Sequence, residues 1–388
     1  MLGARKLSKG RASLPGPSFV FTVDRLMKNV RCIPAIAVVA TLIIIAACAP
    51  KSGVSTPAPL PGVRIARPAD PTERHLSNIR QITDGGENAE AYFSRDGQWI
   101  TFQSSRNGRT CDQQYVMRTD GSALKRVSNG KGKTTCGWFL PGGDRLFFGS
   151  SYMHDSLCPP KPDPSKGYVW PLDKFDMYTV NRDGTDLRRL THYDVYTTEG
   201  VLSPNGKSIV FTSLKDGDLE LYTMNVDGSN VKRLTDTPGY DGGAWWSPDG
   251  RKIVYRAHHP KDTTELRQYR DLLAQGLIRP SKVELFVMNA DGSDNRQITS
   301  LGGANFGPSW TPDGKRIIFS SNHKNPRSGN FDLYLVDMDG KNLEQVTTKP
   351  VFDGFPMFSP DGKQLIWASN RFDQKDTETN LFIADWTP

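Results

Sequence analysis

The stretch FSPDGKQLIWASN, from Phe358 to Asn370, is one of six versions of a single phrase along this 388-residue chain. Close copies are WSPDGRKIVYRAH from Trp246, WTPDGKRIIFSSN from Trp310 and LSPNGKSIVFTSL from Leu202. FSRDGQWITFQSS from Phe93 and FLPGGDRLFFGSS from Phe139 are looser versions. In each copy a short apolar strand runs into Ser/Thr-Pro-Asp-Gly. Proline suits the first central position of a turn and glycine supplies a positive φ. A second strand follows, then a variable loop, then a third strand such as ELYTMNVDGSN or DLYLVDMDGKN that closes on Asp-Gly, a hairpin signal. The fourth strand is short: LRRLT, VKRLT, NRQIT, LEQVT. Four antiparallel strands per unit, repeated with insertions, predict the blades of a propeller.

Counting turns decides how the ring closes. Six first turns surround Gly97, Gly143, Gly206, Gly250, Gly314 and Gly362, but only five Asp-Gly turns follow third strands, at Asp120, Asp183, Asp227, Asp291 and Asp339. The sixth unit stops at NLFIADWTP, and its missing fourth strand is supplied by NIRQIT, Asn78–Thr83, ahead of the first unit. The expected fold is all-β: a six-bladed β-propeller over residues 76–388, closed by an N-terminal strand that completes the last blade. Such closure removes exposed inner edges. The Ser-Pro-Asp-Gly repeats and RLT strands resemble the WD40-like propeller repeats of the TolB family. The resemblance implies the fold and leaves the function open. The α/β domain that precedes the propeller in TolB has no counterpart here, where a Pro-rich stretch stands instead.

The formal charge of +7 is concentrated at the start of the chain, where residues 1–48 hold seven Lys/Arg and a single Asp. The remainder is close to neutral, which removes nucleic acid as a partner. Met27-Lys28-Asn29-Val30-Arg31 is a short basic stretch, and an apolar run from Ile33 to Ala47 follows it and ends Ile45-Ala46-Ala47-Cys48. This is similar to the lipobox of bacterial lipoproteins. The resemblance implies cleavage before Cys48, lipid on Cys48, and a translation start at Met27. An uncut membrane anchor is the alternative; either places the mature chain outside the cytoplasm. Ala49 stands where a signal for inner-membrane retention would have Asp, so the resemblance points to the outer membrane, facing the periplasm or the cell surface. Residues 49–75, rich in Pro, Ser and Ala, read as a tether without a core of its own.

Within a blade, the turns between strands one and two and between strands three and four lie on one face and are tight. The remaining loops lie on the opposite, variable face, which is the expected place for function. Two insertions fall there: the Pro-rich Met153–Phe175, and Asp262–Gly276, whose start and apolar stripe Leu266, Tyr269, Leu272/Leu273 predict a short helix over blade four. First strands line the channel. Six residues before each turn Ser/Thr or its equivalent stand Asn88, Thr134, Thr197, Asp241, Asn305 and Asp353; four before stand Glu90, Cys136, Glu199, Gly243, Gly307 and Phe355. Strand periodicity predicts that both sets face the channel, giving a polar, partly acidic mouth suited to a cation or an amine-bearing peptide end. His154, His192, His258, His259 and His323 also fall on variable-face loops. His258–His259 and His323 with Asp241 or Asp353 could form a zinc-like site. Arg106, Lys215 and Arg371 occupy the position of His259 and His323 in other blades, so a basic structural position is the alternative reading, and no metal ligand set is assigned. The candidate binding residues are therefore Asn88, Glu90, Glu199, Asp241, Asn305, Asp353, His259 and His323.

Three cysteines remain beyond the lipobox. All map to the variable face, and an oxidising compartment makes a disulfide plausible. The expected bridge is Cys136–Cys158, with Cys111–Cys136 as the alternative. The chain has no Gly-x-Ser-x-Gly elbow, no His-Glu-x-x-His and no phosphate loop. The expected function is a non-enzymatic, monomeric binding propeller without a cofactor, tethered to an envelope membrane and recognising a protein segment or peptide at the variable face. A propeller hydrolase or lyase with a metal in the channel is the competing expectation.

Overall fold

A computed structural model describes residues 70–372 and 378–388. The signal segment, the Met27 start, Cys48 and the tether as far as residue 69 lie outside the described residues. The described residues form six four-stranded antiparallel sheets. The first strands are Glu87–Phe93, Thr134–Phe139, Thr197–Leu202, Tyr240–Trp246, Asn305–Trp310 and Asp353–Phe358, and each is followed in its blade by the second, third and short fourth strand. In blade six the order ends on Leu76–Gln81, which pairs antiparallel with Asn380–Trp386, Leu76 opposite Trp386 and Gln81 opposite Phe382. The chain is thus a six-bladed β-propeller whose N-terminal strand supplies the last fourth strand.

The repeated turn stabilises itself. In blade four, Ser247 Oγ donates to Asp249 Oδ1 at 2.6 Å, Arg251 N donates to the same oxygen, and Lys252 N donates back to Ser247 Oγ. Blades one, three, five and six repeat this at Ser94–Asp96, Ser203–Asn205, Thr311–Asp313 and Ser359–Asp361. The Thr that ends each fourth strand has an equally definite task. Its hydroxyl accepts the N–H that opens the third strand, Thr191 from Met177, Thr235 from Leu221, Thr299 from Leu285 and Thr347 from Leu333. Ser128 does the same for Gln114 in blade one, and in blade six Thr83, from the far end of the chain, does it for Leu381. Small hydroxyl residues recur there because the buried N–H would otherwise lack an acceptor.

The propeller takes in residues ahead of residue 76. Glu73 is fully buried, accepts from Thr348 N, and pairs with Arg371, which also pairs with Asp353 at 2.8 Å. His75 stacks on Trp386 with centroids 4.8 Å apart. Residues 70–75, assigned to the tether by composition, therefore belong to the propeller: Glu73 answers a buried guanidinium that composition does not reveal. The expected helix is present as Thr263–Leu273, capped by Asp262 and anchored by its buried Tyr269. It joins the other insertion: Leu277–Ile278 pairs antiparallel with Trp170–Pro171.

Candidate functional site

Each first strand carries a bulge. In blade one the register runs Ala89 opposite Gln103 and then Tyr92 opposite Thr101, so that Glu90 and Ala91 together face one residue. The same break occurs in all six blades. The bulged residues are Glu90, Cys136, Glu199, Gly243, Gly307 and Phe355, and all have φ between 51° and 58°. A left-handed backbone costs a non-glycine residue about 1 kcal/mol or more, so four of the six blades accept strain at this layer.

The extra residue corrects the expectation that two sets share a side. Asn88, Thr134, Thr197, Asp241, Asn305 and Asp353 are all fully buried, turned into the blades. Asn88 Nδ2 donates to Thr379 O at 2.7 Å and Asn305 Nδ2 to Val283 O at 2.9 Å, while Ser104 and Ser321 hydroxyls donate to their carbonyl oxygens. Asp241 Oδ1 is 2.8 Å from His259 Nε2, and Asp353 holds Arg371 and the Trp367 indole N–H. His323 Nδ1 is 2.9 Å from Ser321 Oγ. These residues fasten each first strand to the second strand of its own blade and, at Asn88 and Asn305, to the start of the third strand of the preceding blade, and they do not assemble into a shared site. Of the eight candidates, only Glu90 and Glu199 reach the channel. Arg106, Lys215 and Arg371, with His259 and His323, mark a structural position.

Inside the channel the acidic layer is answered by the protein itself. Arg256 donates to Glu199 and, at 2.6 Å, to the Tyr240 hydroxyl; Glu199 also accepts from Thr212 Oγ1 and Gly243 N. The Cys136 thiol donates to Glu90 Oε2 at 2.7 Å. Burial pushes the Glu90 carboxyl up to about 7, against the pull of the Cys136 hydrogen bond. The same thiol cannot be the partner of Cys158. The disulfide is Cys111–Cys158, and Cys136 is free and buried. The bulge aims Cys136 at the axis, while the insertion of blade two folds outward over the loop of blade one that carries Cys111.

The variable-face end of the channel is roofed. Trp170 lies over the Arg256 guanidinium at 5.0 Å, and Phe306 joins Trp170, Phe331, Phe352 and Phe355 in one aromatic layer. Tyr92, Trp138 and Trp245 form a second aromatic layer nearer the other end, with centroids 5.0–5.3 Å apart. About 30 Å³ of free volume lies between, beside Glu90, Cys136 and Glu199. That is room for a water molecule, not for a substrate.

The open mouth is at the turn face, contrary to expectation. It holds about 330 Å³, at the small end of ligand pockets. Its walls come from all six blades, and its apolar side chains include Trp138, Leu202, Trp245, Trp246, Trp310 and Met357. Trp246 and Trp310 donate their indole N–H groups to the carbonyls of Val201 and Trp245 in the preceding blades, which fixes those walls. Arg95, in the one turn that lacks a Pro or Gly at this place, is the only charged wall residue. Ala244-Trp245-Trp246 and its equivalents are apolar first strands that run into tight, repetitive turns, a pattern that points to the opposite face for function. A larger open groove, about 870 Å³, lies on the variable face beside the helix and takes in His258 and His259. Three of its four Lys and Glu side chains are already engaged: Lys282 pairs with Glu265 at 3.0 Å, and Glu284 accepts from Thr299 and Gly302. Among the described residues the one cluster with metal-ligand geometry is His154, Asp176 and Asp194, and Arg189 already bonds both carboxylates.

Comparison with known proteins agrees with this architecture. Residues 171–269 match the family described as the TolB beta propeller domain. A protein from Agrobacterium tumefaciens described as a TolB is similar in structure, at 20% identity over 78% of this chain and 91% of that one, with a TM-score of 0.53. A gluconolactonase from Xanthomonas campestris is similar at 14% identity over 84% of this chain and 97% of that one, with a TM-score of 0.52. Hydrazine synthase from Kuenenia stuttgartiensis is similar at 14% identity over 80% of this chain and 44% of that one, with a TM-score of 0.53. No curated protein sequence matches the chain. The class defined by blades and turns is a TolB-like six-bladed β-propeller. At these identities the likeness is one of fold, shared by proteins with unrelated activities.

Proposed function

We propose that this protein is a non-enzymatic binding module tethered in a cell envelope, and that it takes an apolar side chain of a partner protein segment into the turn-face mouth. The observation that carries this is the mouth itself: an apolar cup of about 330 Å³ built by all six blades. The residues that dominate protein–protein binding energy are enriched in tryptophan and sit in well-packed pockets, and this cup carries four tryptophans, Trp138, Trp245, Trp246 and Trp310. The acidic layer below the cup is internally paired and supports no catalytic role. The lipobox ending at Cys48 supports a lipid anchor in the outer membrane, and no helix among the described residues is long and apolar enough to cross a membrane.

The test is site-specific crosslinking in intact envelopes. A photo-reactive phenylalanine at Leu202, half-buried on the cup wall, is expected to capture a protein partner, and the same residue at Tyr168 on the opposite face is not. Partner capture at Tyr168 with none at Leu202 overturns the assignment of the face. Conversion of Cys48 to Ser is expected to release or misprocess the chain. A mature N-terminus upstream of Met27 carrying no lipid contradicts the anchor.

A further inference from the structure

Few large apolar side chains are exposed among the described residues, and they are unevenly placed. Met153, Leu157, Tyr168 and Phe372 are 56, 73, 62 and 47% exposed, and all four sit in loops after second strands, on the variable face. Three of them belong to the insertion of blade two. That insertion is held firmly. The Cys111–Cys158 disulfide fixes one part, and the pairing of Trp170–Pro171 with Leu277–Ile278 fixes the other. Arg279 Nη2 also donates to Lys166 O at 3.0 Å. A segment clamped at both ends that still points Leu157 and Tyr168 outward presents them through its construction. Lys161 and Lys174 lie within it and Lys131 precedes it, all three exposed, beside the exposed Asp155 and Asp163.

The chain enters the propeller from the same face. Asp70, the first described residue, is ion-paired with Lys349, in the loop between blades five and six. Twenty-one residues separate Cys48 from Asp70. Twenty-two peptide steps reach about 75 Å at most, so a lipid on Cys48 holds the propeller close to the surface that carries it. We propose that the variable face rests on the lipid surface that holds Cys48, with Leu157 and Tyr168 at headgroup depth and the three lysines against anionic headgroups, so that the turn-face mouth points away from the bilayer. This rests on reading Cys48 as the lipid anchor. Tyrosine favours the headgroup level, and lysines near the surface gain from anionic lipid. Each contact alone is weak, but the anchor makes the encounter intramolecular, so weak contacts are enough to orient the molecule.

The test is hydroxyl-radical footprinting of the full chain bound to vesicles of phosphatidylethanolamine and phosphatidylglycerol. Met153, Leu157 and Tyr168 should oxidise several-fold more slowly on vesicles than after proteolytic release by cleavage within residues 49–69. Leu343, 39% exposed on the turn face, should not change. A double substitution of Leu157→Glu and Tyr168→Ser should return Met153 to the released rate. Equal rates in the bound and released states overturn the proposal. Protection that survives release overturns it too, because a second copy or a protein partner then covers the face. The mass of the N-terminal peptide is read separately. An unlipidated Cys48 with protection retained refutes only the anchor, whereas a chain that leaves no vesicle-bound fraction refutes both.

Discussion

Glu90 illustrates how one residue carries both backbone strain and an unfavourable ionisation. Its left-handed φ of 54° aims the carboxyl at the channel axis, between Cys136 and Tyr92. Burial raises its folded pKa to about 7 from an ordinary 4.5. The folded state therefore holds the proton more tightly than the unfolded chain. Stability from this group is full below about pH 4.5 and falls as the pH rises to about 7. Glu90→Gln should match the parent in melting temperature at the acid end and exceed it increasingly toward pH 7, with a plateau beyond. A difference independent of pH would show that the carboxyl is not held neutral by the fold. The residue pattern that named Glu90 and Glu199 was legible in the spacing from the turn. That Asn88, Asp241, Asn305 and Asp353 face elsewhere was not, because a one-residue bulge reverses every assumption about which side a strand residue takes.

At the scale of elements, the insertion of blade two and the fourth strands are held by specific bonds that can be removed singly. The Cys111–Cys158 bridge spans 47 residues. Non-reducing peptide mapping should find that pair linked and Cys136 alkylated only after unfolding. Cys158→Ala should cost about 2–4 kcal/mol and expose the Pro-rich loop to proteases, whereas Cys136→Ala should leave the loop resistant. A mapped Cys136–Cys158 peptide would contradict the placement of both elements. In blade three, the Thr235 hydroxyl both donates to Glu220 and accepts from Leu221 N. Thr235→Val keeps the shape and strands two buried polar groups, and a loss of about 1–3 kcal/mol is expected in denaturant melts. An unchanged midpoint would show that the recurring Thr serves something other than the clasp.

The whole molecule is locked by contacts between residues at opposite ends of the chain. Leu76 and Ile79 are buried against side chains of blades five and six, and Glu73, Arg371 and Asp353 form a buried ionic chain at the same seam. Arg371→Met leaves two buried carboxylates without their cation, at a cost of about 3–5 kcal/mol. Arg80→Ala, whose guanidinium is 3.7 Å from the half-exposed Asp385, should cost less than about 1 kcal/mol. Deletion of residues 70–83 removes a whole strand and opens an edge. The truncated protein should aggregate or lose its single cooperative transition, and a truncated protein that melts like the parent would refute closure by this strand.

The ring of six blades, its closing strand and the helix over blade four were determined by the sequence itself, because each rests on local chemistry. Ser-Pro-Asp-Gly stabilises its own turn, alternating apolar residues make their own strands, and Asp262 caps its own helix. The contacts between distant residues were decided by tertiary structure alone. Which cysteine meets Cys158, which carboxylates reach the axis, that Trp170 roofs one end of the channel, and that first-strand tryptophans open into a cup at the other all depend on where the bulges and insertions bring residues from separate blades. A side chain at a known strand position still has two possible surroundings, and only the packing of the neighbouring blade chooses between them.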